Sequence, residues 1–154
     1  MNDPILAPAH YTVYPVQPIE ITRYLGFCLG NATKYVLRAP YKGGEEDCLK
    51  ALRYLKLEKE TPGSLPEKLP LYPYQRLLEF FNETPGDDLW CDIADASKLF
   101  LINLYHYAAR RNQGSLPLMV DTVQDLRRIL SLRDTTGQIY EGMTGLPVRG
   151  DTNE

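Results

Sequence analysis

The sequence contains few of the residues that build disulfide frameworks, metal sites or histidine-based catalysis. Among its 154 residues are three cysteines and two histidines. The cysteines are odd in number and lack metal-site spacing, so Cys28, Cys48 and Cys91 are expected to be buried apolar side chains in a reducing compartment. His106 falls in an apolar segment and is expected in the core, and nothing in the spacing supports a nucleophilic Cys–His pair.

Segments for membranes, secretion and standard phosphate binding are also missing. No apolar run reaches the roughly 18 residues of a transmembrane helix, and the N-terminus lacks the charged start and apolar centre of a signal peptide. A cytoplasmic protein is therefore expected. Neither G-x-x-x-x-G-K-[ST] nor a G-x-G-x-x-G after a strand occurs, which excludes the common glycine-rich phosphate loops.

Composition and charge fit a small globular protein. A length of 154 residues with 44% hydrophobic residues is typical of one domain, or of one and a half. The net charge of −3 argues against a polyanion-binding protein, so any site for phosphate has to be a local basic pocket. Eleven tyrosines against four phenylalanines are unusual. Tyrosine rings can stack on bases, although half-buried helix boundaries are the commoner place for them.

Hydrophobic periodicity predicts an all-α, compact helical domain. The predicted helices follow Pro18 to about residue 25 and then cover 27–38, 45–57, 73–81, 92–111 and 121–132, with Asp121 as the N-cap of the last. Helices 27–38 and 45–57 are expected to form an antiparallel pair across a six-residue loop. Residues 11–16 are the one segment that could pair as a short strand.

The chain divides by composition into four parts. Residues 1–60 are expected to form a helical module, 61–70 a linker, and 71–134 the rest of the same domain or a second small one. Residues 135–154 have little to bury and are expected to be a partly flexible tail. Because the helix at 92–111 is apolar nearly all round, it should be central or lie at a subunit interface, and a homo-oligomer is expected.

Polar side chains form two rows on the predicted helix pair. Positions three and four apart share a helix face, which aligns Asn31, Lys34 and Arg38 on the first helix. The second helix carries a matching row, and the loop adds a cation and a glycine pair: Asp47, Lys50 and Tyr54, then Lys42, Gly43 and Gly44. Cations, an acid and open backbone facing one another favour a site for a phosphate-bearing ligand.

Two interpretations of these rows are open. Charged helix rows are usually solvated, and acidic residues at the start of a helix are expected from the macrodipole alone. Against this, Gly30 and Asn31 are both poor choices for a helix interior, with Gly costing about 1 kcal/mol relative to Ala. Two unfavourable neighbours indicate either close packing or contact with a ligand.

The same region resembles a known family. The matching residues, in order, are His10-Tyr11, Ile19-Glu20, Phe27-Cys28-Leu29-Gly30-Asn31-Ala32, Lys34-Tyr35, Leu37-Arg38-Ala39, Lys42, Asp47, Lys50-Ala51 and Tyr54-Leu55. This pattern resembles the domain of unknown function 3310, found mainly in bacteriophage genomes, and covers residues 8–58. One relative, a coliphage early-gene product, is a kinase of deoxynucleoside monophosphates without a P-loop.

The resemblance implies a phage-encoded nucleotide-handling protein in the host cytoplasm, with a (deoxy)nucleoside monophosphate kinase that uses ATP as the leading hypothesis. Phosphoryl transfer needs cations on the phosphates and a bridging metal. Arg38 is the preferred phosphate partner because its guanidinium binds two oxygens at once. Asp47 and Lys50 complete the expected catalytic set, and Asp47 with Glu46 is the expected Mg²⁺ site.

The remaining matched positions are expected to bind substrate. Gly43 precedes a helix N-terminus whose N–H groups could receive a phosphate oxygen. The other expected substrate-binding residues are His10, Tyr11, Asn31, Lys34, Lys42 and Tyr54. The expected partner is a nucleotide or another small molecule carrying phosphate, with no sign of a membrane, DNA or RNA partner.

Two other functions remain open. The first is a non-catalytic module that binds or sequesters a nucleotide, for example against a host defence. The second is a Mg²⁺-dependent nucleotide pyrophosphohydrolase, which needs several acids where this sequence has Asn31 and Lys34. Additional acids for that reaction would have to come from Asp87, Asp88, Asp92 or Asp95.

Overall fold

The computed structural model describes residues 13–136, and the regular structure in this range is entirely helical. The helices are α1 (Ile19–Thr22), α2 (Phe27–Arg38), α3 (Gly44–Glu60), α4 (Tyr72–Glu83), α5 (Asp88–Arg110) and α6 (Ser115–Thr136). The all-α prediction is confirmed. Residues 13–16 form a turn and bends rather than a strand; residues 11 and 12, His10 and the tail beyond 136 lie outside the described range.

Helices α2 and α3 form the predicted antiparallel pair. Phe27, at the start of α2, contacts Tyr54 in the second half of α3, with ring centroids 5.8 Å apart. Arg38, at the end of α2, is bonded to Asp47 in the first turn of α3. The apolar face of α2 is buried, as its periodicity predicts, through Leu29, Ala32, Val36 and Leu37.

The connection between these helices is not the open loop that the sequence predicts. Ala39–Gly43 is a π-helical turn that continues directly from α2, and Ala39, Pro40 and Tyr41 are buried. A buried backbone carbonyl needs a donor. Arg133 of α6, itself 0% exposed, supplies one, because its Nη1 donates to the Pro40 carbonyl oxygen at 2.6 Å. The prediction failed because this donor is distant in sequence.

Both glycines of the connection are required by local geometry. Gly44 has φ 55° and ψ −137°, which a residue with a Cβ rarely adopts. At Gly43, a Cβ would lie 2.0 Å from Cγ of Asp47. The glycine pair therefore allows the chain to enter α3 while the carboxylate of Asp47 lies directly against the backbone.

Helix α3 links the two halves of the described chain. It packs against both α2 and α6, and α5 packs against α4 and α6. One hydrophobic core contains residues from both sides of segment 61–70, including Leu55, Leu77, Trp90, Leu104 and Leu126. Between residues 13 and 136 no helix is both long and apolar enough to cross a membrane.

Helices α5 and α6 begin four and six residues earlier than predicted. Helix α5 begins at Asp88, where Oδ1 of the N-cap Asp87 accepts the N–H of Trp90 at 2.8 Å. Helix α6 begins at Ser115, so Asp121 lies within the helix and its prediction as N-cap was wrong. Pro117 falls in the first turn, where its missing N–H costs nothing.

The burial of the cysteines, of His106 and of helix α5 was predicted wrongly or only in part. Of the cysteines, Cys48 is buried, Cys28 is partly exposed and Cys91 is exposed. His106 is exposed rather than in the core. Helix α5 is central, as its apolar composition indicates, yet its Leu99 is 50% exposed. Composition alone did not identify which side of an apolar helix faces outward.

Candidate functional site

Three cations converge on one tyrosine ring at the α2–α3 pair. Lys34 Nζ lies 4.6 Å from the ring centroid of Tyr35, Arg38 Cζ 5.3 Å and Lys50 Nζ 5.3 Å. Arg38 lies four residues after Lys34 and three after Tyr35, spacings that place it beside both on α2, and α3 brings Lys50 to the same ring. We call these four residues, together with Asp47, the cationic face.

The one carboxylate of the cationic face is bonded to arginine. Nε of Arg38 donates to Oδ2 of Asp47 at 2.8 Å, with Asp47 1% exposed and the Arg38 side chain 23% exposed. Oδ1 of Asp47 is buried without a hydrogen-bond partner in the part of the chain that the structure describes. This bond fixes the orientation of the guanidinium and anchors it at the surface.

Within the described residues, no carboxylate neutralises either lysine of the cationic face. Within residues 13–136, neither Lys34 nor Lys50 has a carboxylate within 4.0 Å. Both contact the face of Tyr35, and cation–π contacts of this kind contribute only about 0.5–1 kcal/mol at exposed sites. The face therefore keeps an excess of positive charge in a protein whose net charge is −3.

An aromatic platform adjoins these cations. Tyr35 and Tyr54 stack with centroids 6.1 Å apart and an interplanar angle of 10°. Phe27 packs its edge against Tyr54 and is 74% exposed. An exposed aromatic ring beside uncompensated cations suits a ligand with a planar group and negative charge.

Tyr35 and Phe27 were missed as site residues by the sequence analysis, although a signal existed. Phe27, Asn31 and Tyr35 follow one another at intervals of four, the spacing that had identified the polar row. Considering only polar residues in that row left out the aromatic rings. Tyr54, which was predicted, stacks on Tyr35 within this platform.

Asn31 lies beside the platform and bonds to its own helix. Its Nδ2 donates to the Phe27 carbonyl oxygen at 2.8 Å. With Gly30, Lys34 and Phe27 it lines a small cavity of about 210 Å³ between α1 and α2. A Cβ on Gly30 would lie 3.5 Å from the Thr22 carbonyl oxygen, an ordinary contact, so close packing does not require this glycine.

The other predicted residues are spread around the start of α3. Lys42 and Glu46 are exposed, and Gly43 lies under the carboxylate of Asp47, which occupies the place where a phosphate would approach the helix N-terminus. His10 and Tyr11 fall outside the described range. Among residues 13–136, no group of three or more His, Cys, Asp or Glu side chains is placed to hold a metal.

A separate cleft lies between α3 and α6 and contains none of the predicted residues. Its floor includes Glu58, whose Oε2 accepts the hydroxyl of Tyr107 at 2.9 Å. These two residues are 49 positions apart, and no local pattern connects them. The sequence therefore held no signal for this pairing.

Comparison with known proteins places the cationic face within a described family region. Residues 5–56 match the family described as a protein of unknown function, DUF3310. No curated protein and no solved structure matches the chain significantly. The match covers a third of the chain and includes every residue of the cationic face. The resemblance of this region to the DUF3310 family is thus confirmed.

Proposed function

We propose that the protein binds a nucleotide through the cationic face and acts as a (deoxy)nucleoside monophosphate kinase that takes phosphate from ATP. The observation that supports the proposal is the convergence of Lys34, Arg38 and Lys50 on Tyr35, with one carboxylate among them. Three cations held a few ångströms from one ring repel one another, and a phosphate group relieves that repulsion. Each charge-assisted hydrogen bond to phosphate contributes about 1.5–3 kcal/mol.

Arg38 is positioned for this role by its bond to Asp47. A guanidinium whose Nε is fixed by a buried carboxylate loses little rotamer freedom when it meets a phosphate. Lys34 and Lys50 act as mobile point charges on either side. Lys42, exposed in the π-helical turn, is a further cation near the start of α3.

The aromatic platform supplies the second half of nucleotide recognition. Phe27 is the exposed ring, and Tyr54 supports it through an edge contact with centroids 5.8 Å apart. Stacking of a base on an aromatic side chain contributes about 1–3 kcal/mol and tolerates different bases. The face can therefore hold a base and a phosphate together.

The predicted Mg²⁺ pair does not converge on one point. Glu46 is exposed while Asp47 is buried, because neighbouring residues of a helix point about 100° apart. The two carboxylates therefore do not form a joint metal site, and any Mg²⁺ would be held mainly by the phosphates of ATP. The contribution of this chain is the positioning of phosphate by Lys34, Arg38 and Lys50.

A nucleotide panel tests the proposal. Deoxynucleoside monophosphates, ATP and their phosphate-free nucleosides are compared by thermal shift, and the compounds that bind are then incubated with ATP and Mg²⁺ to measure turnover. We expect stabilisation that depends on the phosphate and weakens with salt, since exposed charges are screened. If no nucleotide raises the melting temperature at millimolar concentration, the proposal fails.

Binding without catalysis is the second candidate, and the burial of Asp47 favours it. A carboxylate that is 1% exposed and bonded to Arg38 is poorly placed to meet a substrate or a metal. A turnover assay on the wild type separates the two functions: a kinase converts a bound deoxynucleoside monophosphate to the diphosphate with ATP and Mg²⁺, whereas a sequestering protein binds it and leaves it unchanged. The pyrophosphohydrolase alternative gains no support from residues 13–136, where no cluster of three acids is placed around a metal.

A further inference from the structure

A small cavity adjoins the aromatic platform, at the junction of α1 and α2. Thr22 of α1 and Phe27, Gly30, Asn31 and Lys34 of α2 contribute to its lining. Its volume is about 210 Å³, below the roughly 300–1,000 Å³ of sites that enclose a whole small molecule. The cavity can therefore take only part of a ligand whose remainder lies on the neighbouring surface.

The cavity has its present size because residue 30 is glycine. Within a helix, glycine is the least favourable residue apart from proline. A Cβ on Gly30 would lie 3.5 Å from the carbonyl oxygen and 3.7 Å from the Cβ of Thr22, which are ordinary contacts, so the packing of α1 on α2 allows alanine here. Since Thr22 and Gly30 both line the cavity, that methyl group would take up part of its volume.

Asn31 gives the cavity a fixed hydrogen-bond acceptor. Its Nδ2 donates to the Phe27 carbonyl oxygen at 2.8 Å, which holds the side-chain amide in one orientation. Among residues 13–136, Oδ1 of Asn31 has no hydrogen-bond donor. The lining thus combines an acceptor with the apolar ring of Phe27 and suits a group that has both hydroxyls and carbon surface.

The order of residues along α2 indicates which part of a nucleotide meets the cavity. Phe27, the exposed ring, lies at the start of the helix, and the first cation, Lys34, follows seven residues later, about 10 Å along the axis. Gly30 and Asn31 lie between them. In a nucleotide, the pentose lies between the base and the phosphate in the same way.

We propose that this cavity is the pentose subsite of the nucleotide site: Gly30 makes room for the sugar ring, and Oδ1 of Asn31 accepts a hydrogen bond from a hydroxyl of the pentose. The assignment rests on the proposed function, because a base on Phe27 and a phosphate at Lys34 and Arg38 fix where the sugar lies. It adds a ligand class to that function, namely pentose 5-phosphates that carry no base.

Ligands that differ by one part test this assignment. Inorganic phosphate, the abasic compound 1,2-dideoxyribose 5-phosphate and a complete deoxynucleoside monophosphate are compared by isothermal titration. We expect the abasic compound to bind at least about fivefold more tightly than phosphate, through the added hydrogen bond and the buried ring. Equal affinity of the abasic compound and phosphate overturns the pentose subsite, and the proposed function survives if the nucleotide still binds. Absence of binding by all three removes the proposed function and the subsite with it.

Two variants locate the sugar. Gly30→Ala should weaken the abasic compound and the nucleotide at least about threefold, because the ring and the new methyl group compete for one space, and should leave inorganic phosphate unchanged. Since alanine favours the helix, the melting temperature of Gly30→Ala should rise, so the lost affinity cannot result from unfolding. Asn31→Ala should weaken the same two ligands about fivefold through loss of one hydrogen bond.

Gly114→Ala is the matched control, because it adds the same methyl group in the connection between α5 and α6, outside the cavity. All three affinities should remain those of the wild type in this variant. Two results contradict the assignment. In the first, Gly30→Ala binds the abasic compound as the wild type does. In the second, Gly30→Ala weakens only the ligand that carries a base, which would place the base in the cavity.

Discussion

The cationic face and the α3–α6 cleft both include residues of α3, but they carry charges of opposite sign. The face holds two lysines without a carboxylate partner, and the cleft holds a buried carboxylate, Glu58, without a cationic partner within residues 13–136. Lys50 of α3 belongs to the face, whereas Leu52 and Glu58 of α3 line the cleft. Burial differs as well, since Phe27 is 74% exposed and Glu58 1%.

This difference shows that, within residues 13–136, a weakly acidic protein keeps charges of both signs without an ion-pair partner on one helix. Lys50 and Glu58 lie eight residues apart on α3, about 12 Å along its axis, so they do not pair with each other. Unpaired charges retain their capacity for ligands, at a cost in stability that the common core offsets.

Replacing Arg38 should have the largest effect, because it changes both nucleotide affinity and the free energy of unfolding. Arg38→Ala removes a phosphate-binding cation and should weaken nucleotide affinity by roughly one to two orders of magnitude. It also strands the buried carboxylate of Asp47, which should cost about 3 kcal/mol of unfolding free energy. Titration with nucleotide and denaturant melts measure the two effects.

Lys50→Ala and Arg76→Ala are the controls for that variant. Lys50→Ala removes a charge of the same face without stranding an acid, so it should weaken binding about tenfold with little loss of stability. Arg76, whose side chain is 44% exposed and 3.9 Å from Glu79 on α4, should affect neither property by more than about 0.5 kcal/mol. Equal losses of affinity in Arg38→Ala and Arg76→Ala would show that the face has no specific role.

A third surface, between α5 and α6, is a candidate dimer interface. A dimer would carry the cationic face and the cleft twice. Leu99 and Leu132 are 50% and 54% exposed in a groove between α5 and α6, with Asp95 on the α5 side and Arg128 on the α6 side. Two copies related by a twofold axis would bury these exposed leucines against each other, so we propose a second copy of the chain as the partner of this groove. Leu99→Asp should weaken dimerisation at least about tenfold in sedimentation equilibrium.

The control for the groove is Leu71→Asp, at a position that is 45% exposed and lies outside it. This change should leave the sedimentation profile of the wild type unaltered. A wild-type protein that sediments as a monomer at micromolar concentration would contradict the proposed dimer.

Tyr107→Phe tests the cleft through its effect on Glu58. The variant removes the hydroxyl that Oε2 of Glu58 accepts at 2.9 Å, so a buried carboxylate loses a donor and unfolding should become about 1–3 kcal/mol easier. Tyr72→Phe removes an exposed hydroxyl whose contact with Arg76 is 3.4 Å long, and should change little. Matching losses in denaturant melts would mean that Glu58 does not depend on Tyr107.

The smallest effect is expected at the edge of the cationic face. Gly30→Ala should stabilise the protein by up to about 1 kcal/mol, because the added Cβ meets only ordinary contacts at Thr22. If nucleotide enters the small cavity beside Asn31, the same variant lowers affinity while raising the melting temperature. Gly43→Ala is the opposite case and should destabilise, since its Cβ would lie 2.0 Å from Cγ of Asp47.

The cationic face could be predicted in large part because its geometry is local. Lys34 and Arg38 share a row by helical spacing alone. Because the connection after α2 is short, Asp47 and Lys50 of the next helix could be expected beside that row. What spacing did not reveal was the centre of the face, because Tyr35 directly follows Lys34 and adjacent residues of a helix point about 100° apart. The structure was needed to show that Tyr35 lies among the three cations.

The cleft could not be predicted, since its parts are distant in the chain. Composition gave no reason to expect that Glu58 would be buried, or that Tyr107 of α5 would be its donor. The same holds for Arg133, whose bond to the Pro40 carbonyl keeps the π-helical turn under α6. Each of these contacts satisfies a buried polar group with a donor supplied by another element.

The sequence by itself determined the all-α class, the antiparallel α2–α3 pair and the row of cations, because helical periodicity and short connections act over a few residues. The tertiary structure decided which polar groups are buried, where the connection after α2 lies and which cavities form. Those outcomes depend on how α3, α5 and α6 pack, and packing brings together residues whose separation along the chain carries no pattern.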